Sequence, residues 1–247
     1  AKNLALTGEP VHIADGVAFN PGTGRGNFDV SQNGTLLYFQ GAAATNLAGR
    51  FWTIADTQLG WVDRTAKTLE YVGEQGAYGE ADLSPDGRLL AVTRQEAGSR
   101  ADIWVIDWRR GVSTPLTRDP SDDGNPVWSP DGSQIAFTTY RKGNADIYVK
   151  NANGSGEETP LLESSSNESV EDWSKDGKYI LYRFGADNFQ DIYALPLFGE
   201  KKPFPVIQGP YEKNQPKLSY DGKWLAYNSN ESGQTQVYVT SFPVPTQ

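Results

Sequence analysis

Ser129-Pro130-Asp131-Gly132 recurs along the chain, and its recurrence decides the fold. Related tetrapeptides are Ser84-Pro85-Asp86-Gly87, Ser174-Lys175-Asp176-Gly177, Ser219-Tyr220-Asp221-Gly222 and Ser31-Gln32-Asn33-Gly34. From Ser84 onward the serines stand 45 residues apart, and Ser31 precedes Ser84 by 53. A fixed period in this range marks a repeat architecture. Within each tetrapeptide the proline presets φ, the aspartate accepts a bond from a nearby backbone N–H, and the glycine tolerates positive φ. Each tetrapeptide therefore reads as a tight turn between strands.

Working outward from Ser129, one unit reads as four short strands. Pro126-Val127-Trp128 precedes the turn and Gln134-Ile135-Ala136-Phe137-Thr138 follows it. Asp146-Ile147-Tyr148-Val149 is the third strand and Thr159-Pro160-Leu161-Leu162 the fourth, with a Gly143-containing loop between second and third. The third-strand signature returns as Asp102-Ile103-Trp104-Val105, Asp191-Ile192-Tyr193-Ala194 and Gln236-Val237-Tyr238-Val239, and the first repeat offers Leu59-Gly60-Trp61-Val62. The fourth strands carry Pro115, Pro160 and Pro205, as suits an outermost edge. After Gln236-Val237-Tyr238-Val239 the fifth repeat lacks a fourth strand, while Glu9-Pro10-Val11-His12-Ile13 is a spare one at the other end. The expected fold is all-β, a five-bladed β-propeller of four-stranded antiparallel blades. Residues 1–247 form one domain, with blades anchored at residues 31, 84, 129, 174 and 219. The N-terminal strand, about residues 7–14, completes the last blade and removes the open edge.

Two stretches break the register: the Gly-rich Asn20 to Asn27, and Gly41 to Thr57, which carries Phe51 and Trp52. In a propeller whose first strand is innermost, both fall on the face opposite the Ser-x-Asp-Gly turns, where loops join second to third and fourth to first strands. Loops on a rigid scaffold are where binding concentrates, although insertions there are also tolerated without function.

The net charge of −9 disfavours nucleic acid and anionic membrane as partners. With no cysteine, neither a disulfide framework nor a thiolate metal site can form. No apolar run approaches membrane-spanning length, so no membrane insertion of this segment is expected. The sequence opens at Ala1 without a signal-peptide pattern, which reads as a processed or trimmed chain. His12 is the only histidine, which leaves no route to a zinc site or a Ser-His-Asp triad.

The Ser-Pro-Asp-Gly turn, the small-aliphatic-aromatic strand after it and the Asp-Ile-Tyr/Trp-Val strand resemble the TolB-type β-propeller repeat, over about Phe28 to Phe242. The stretch from Leu195 to Pro205 is similar to the extracytoplasmic propeller of bacterial serine/threonine protein kinases. The resemblance implies a bacterial source, an extracytoplasmic (periplasmic or cell-surface) site, and binding of a protein, a peptide or a small ligand without chemistry. Rings of this type usually have six or more blades, so five repeats make either a true five-bladed ring or a segment of a longer one, which the resemblance would make the sensor module of a bacterial membrane kinase.

Acidic residues gather where the channel mouth is expected. Asp29, Asp82 and Asp172 each stand two residues before an anchor serine, and Glu80 and Glu171 are close by. Such carboxylates on separate blades can bind a cation or work as the acid and base of a glycoside hydrolase, for which two must stand about 5–9.5 Å apart. They can equally be hydrogen-bonded strand-end residues along a wet channel. The candidate ligand-binding set is Phe51, Trp52, Glu80, Asp82, Glu171 and Asp172, and the carbohydrate-active alternative uses Asp29, Asp82 and Asp172 or Glu171. Asp119, Asp122 and Asp123 crowd one loop and are the weak candidates for a structural calcium, the one cofactor considered.

Overall fold

The computed structural model describes residues 19–20, 25–26, 28–30, 36–40, 54–62, 69–97, 99–185 and 191–242. Two very short strands, β1 (Phe19–Asn20) and β2 (Arg25–Gly26), pair within the first register break. Strands β3 (Phe28–Val30), β4 (Leu36–Gln40), β5 (Ile54–Val62) and the start of β6 (Leu69–Leu83) form the first blade. The end of β6, then β7 (Leu89–Gln95), β8 (Ala101–Asp107) and β9 (Val112–Pro115), form the second. The third comprises β10 (Asp123–Trp128), β11 (Gln134–Thr139), β12 (Asp146–Asn151) and β13 (Thr159–Leu162). The fourth comprises β14 (Glu168–Trp173), β15 (Tyr179–Phe184), β16 (Asp191–Pro196) and β17 (Phe204–Ile207). The last repeat gives β18 (Lys213–Leu218), β19 (Trp224–Ser229) and β20 (Gln236–Ser241).

The protein is thus an all-β propeller of antiparallel blades. The expectation of five four-stranded blades is corrected: among the described residues four blades are complete, and the fifth repeat is a three-stranded sheet. The N-terminal strand and His12 lie outside the described residues. A second correction concerns the first two blades. No loop separates them, because β6 pairs with β5 from Leu69 to Tyr78 and with β7 from Ala77 to Leu83. Gly73 adopts a φ of +71°, and a Cβ on Gly76 would come within 3.3 Å of the Tyr78 ring. These glycines let a single strand pass from the outer edge of one blade to the inner position of the next.

Each turn is built as its chemistry requires. The Ser129 hydroxyl donates to Asp131 Oδ1 at 2.6 Å and accepts from the Gln134 N–H at 2.9 Å. The Gly132 N–H closes the turn on Ser129 O at 2.9 Å, with φ at +72°. The same bonds recur at Ser84, Ser174 and Ser219. The Ser129 hydroxyl and neighbouring N–H groups hold the Asp131 carboxyl down at about 2.

The core lies between blades. Alternation along β11 sends Ile135 and Phe137 toward the second blade, where they meet Ala91, Ile103 and Leu116. Ala136 faces the other way, into Val170, Trp173 and Ile180 of the fourth blade. Tyr179, Leu181 and Ile192 meet Leu225, Tyr227 and Phe242 at the next interface. The inner strands β3, β6, β10, β14 and β18 follow one another in contact.

Candidate functional site

Every inner strand from β6 onward has a register shift, at Tyr78/Ala81, Gly124/Val127, Val170/Asp172 and Asn214/Lys217. A bulge of this kind re-aims the side chains after it. Asp82 and Asp172 stand just past such bulges. Asp82 Oδ2 accepts from the backbone N–H of Trp128 at 2.7 Å, and the Trp128 indole N–H donates to Asp82 O at 3.0 Å. Two repeats further on, Asp172 Oδ2 accepts from the Leu218 N–H at 2.8 Å, and Lys217 Nζ lies 3.6 Å from Asp172 Oδ1. Each aspartate therefore fastens its blade to the next. Val127, at the equivalent position of the third blade, packs with Val170 and Trp173 instead.

Glu171 is 4% exposed and is held by Arg183 Nε at 2.5 Å, while its backbone carbonyl accepts from Lys217 Nζ at 2.7 Å. Glu80 is half-buried on β6. Asp29 falls on β3, its side chain outside the described set, and Phe51 and Trp52 lie outside the described residues. The structure therefore brings Glu171 and Asp172 together with Arg183 and Lys217, and gives Asp82 to a separate interface.

The weak calcium candidates Asp119, Asp122 and Asp123 each face a different neighbour. Asp119 Oδ1 accepts from the Ser121 N–H at 2.9 Å, and Asp122 Oδ1 from the Ala101 N–H at 3.1 Å. Asp123 faces Arg141, 3.7 Å away. The three carboxylates serve separate partners, and among the described residues no three His, Cys, Asp or Glu side chains gather to hold a metal.

A second polar set was not apparent from the sequence. Arg141 NH2 pairs with Glu158 Oε2 at 2.7 Å and stacks 4.2 Å over the Tyr148 ring. Lys150 Nζ reaches Glu158 at 3.3 Å and donates across the interface to Leu116 O at 2.8 Å. Asp123, Glu168 and Lys213 open successive inner strands at 45-residue spacing, so one repeat position carries both charge signs. Burial pushes the Asp123 carboxyl up to about 7, against the pull of the Thr139 and Thr117 hydroxyls and of Arg141. Burial likewise raises Asp102 to about 6.

A pH dependence follows. The folded protein keeps a proton on Asp123 that the unfolded chain releases near the ordinary 3.8, so stability declines as pH rises toward about 7. We expect urea unfolding to give roughly 2–3 kcal/mol less stability at pH 8 than at pH 5 from Asp123. The Asp123→Asn variant loses that part of the slope. A wild-type slope of opposite sign contradicts the assignment.

A shallow groove of about 210 Å3 lies between the second and third blades, lined by Leu89, Val105, Val112, Pro115 and Leu116 among others. It sits toward the strand ends next to the Ser-x-Asp-Gly turns, and not at the opposite strand ends.

The family model described as the TolB beta propeller domain matches residues 63–202. No curated protein matches the chain. TolB from Acinetobacter baumannii aligns with a TM-score of 0.68 at 18% identity, covering 91% of this chain and 50% of that one. The putative TolB from Agrobacterium tumefaciens gives 0.67 at 21% identity, covering 87% and 76%. An oligogalacturonate lyase in complex with manganese gives 0.59 at 17%, covering 86% and 61%. The chain spans half the length of the Acinetobacter structure. At these identities the likeness establishes the fold alone.

Proposed function

Because the chain belongs to the TolB beta propeller domain family, we propose that it works as a noncatalytic binding or scaffold domain whose loop-rich face meets a protein or peptide. The observation that carries this reading is the engagement of the channel-mouth carboxylates. Asp82 and Asp172 are spent on backbone N–H groups of the following blade, and Glu171 on Arg183. A catalytic acid or base must be at liberty to exchange its proton with a substrate.

In the same reading the ring has five blades, and residues 7–14 add the missing strand beside β20. This is supported by the sheet β18-β19-β20 ending at its third strand where the third and fourth blades continue to a fourth, since an unpaired outer edge exposes a row of backbone N–H and C=O groups. The proposed setting is extracytoplasmic, in line with the family resemblance.

Selection of a random-peptide display library on the whole chain tests the function. Enriched peptides should lose about tenfold or more in affinity when Glu96 and Glu231, in two loops of the loop-rich face, are changed. Changes at Arg88 and Lys178, beside turns of the other face, should leave binding intact. Hydrolysis of a glycoside panel that vanishes in Asp82→Asn or Asp172→Asn contradicts the proposal.

A further inference from the structure

The interface between the fourth and last blades contains an oxygen cage with its own cation. Lys213 Nζ, only 3% exposed, donates to Gly209 O and Tyr211 O at 2.7 Å each and lies 3.2 Å from Asp191 Oδ1. One repeat earlier, 45 residues back at each position, the corresponding atoms are Ser164 O, Ser166 O and Asp146, and the residue in place of Lys213 is Glu168. The oxygen cage survives, the residue that supplied its ammonium has become an anion, and the Asn144 amide now reaches the cage oxygens.

Around this second cage the polar groups do not balance. Asp146 and Glu168 are each 1% exposed, and Asp146 Oδ2 and Glu168 Oε2 are buried without a hydrogen-bond partner. Ser164 ties the two together: its hydroxyl donates to Glu168 Oε1 at 2.5 Å and its N–H to Asp146 Oδ1 at 3.3 Å. Lys142, whose charge reaches Asp146, is held by Glu163 at 2.8 Å. The Asn144 amide nitrogen sits among Ser166 O (2.6 Å), Ser164 O (3.0 Å), Asp146 Oδ1 (3.3 Å) and Ala145 O (3.5 Å). An NH2 group has two hydrogens and cannot serve four acceptors. Rotating that amide by half a turn presents Oδ1 to the same point. Buried carboxylates are expensive unless paired or coordinated to a metal.

We propose that Asp146, Glu168, Asn144 and the carbonyl oxygens of Ser164 and Ser166 bind a calcium ion between the third and fourth blades, at the cage equivalent to the one Lys213 fills at the next interface. The ligand set is all oxygen, with two carboxylates to balance the charge, which suits calcium's six to eight ligands. Magnesium fits worse, because it demands near-ideal octahedral geometry and gives up its waters reluctantly. The inference stands apart from the proposed function, since the site holds blades together and is not on the binding face.

Thermal unfolding and isothermal titration of the chelator-treated protein decide it. Calcium at about a hundredfold excess over its Kd should raise Tm by about 5–10 °C, and magnesium at the same concentration by far less. Glu168→Lys should fold with its own ammonium in the cage and lose both the shift and the heat of binding. Asp146→Asn should also lose the heat. Wild-type protein without a calcium-dependent shift or heat overturns the proposal. So does an equal response to magnesium, or a Glu168→Lys variant that responds like the wild type.

Discussion

Replacing Phe137 with alanine is expected to lower the unfolding free energy by about 3–5 kcal/mol. Phe137 is fully buried at the centre of β11, where it meets Ala91, Ile103, Leu116, Trp128 and Tyr148 between the second and third blades. Two sheets face each other there through their β-strands, and neither can shift without breaking its own ladder. The space left by the ring therefore stays a cavity, and the cost is at the high end for a large-to-small change. The variant's urea midpoint should fall with little change in slope. A loss below about 1 kcal/mol would mean that the blades repack freely, against the picture of interlocked sheets.

The second large effect concerns Asp82. Asp82→Ala removes a carboxylate that accepts from the Trp128 N–H at 2.7 Å and leaves that donor without its acceptor. Hydrogen bonds to a charged group contribute about 1.5–3 kcal/mol, so a loss of about 2–3 kcal/mol is expected. Asp82→Asn keeps a carbonyl acceptor and should lose roughly half as much. The order alanine worse than asparagine is the signature of a structural acceptor, and equal effects on stability would contradict that role.

The turns and strands could be read from the sequence because their bonds are local. Ser129, Asp131 and Gly132 satisfy one another within five residues, to Gln134. The strand Thr159–Leu162 was placed at its observed bounds for the same reason. The passage of β6 between blades was hidden by Gly73 and Gly76, residue types that usually punctuate strands. The candidate site was half legible. Asp82 and Asp172 stood out by their register with the serines, but their partners, Trp128 and Leu218, are 46 residues away along the chain. Their purpose shows only when neighbouring blades are brought together. Glu168 and Lys213 give no motif at all, since one repeat position carries opposite charges, and only the shared oxygen cage connects them.

The claim that the channel-mouth carboxylates hold blades together, leaving the domain to bind, is tested most directly by amide hydrogen exchange at Trp128 in the wild type and in Asp82→Ala. The account predicts a slowly exchanging Trp128 amide in the wild type and faster exchange in the variant, localised to β10 and its contact with β6. A Trp128 amide that exchanges at the same rate in both proteins would contradict it.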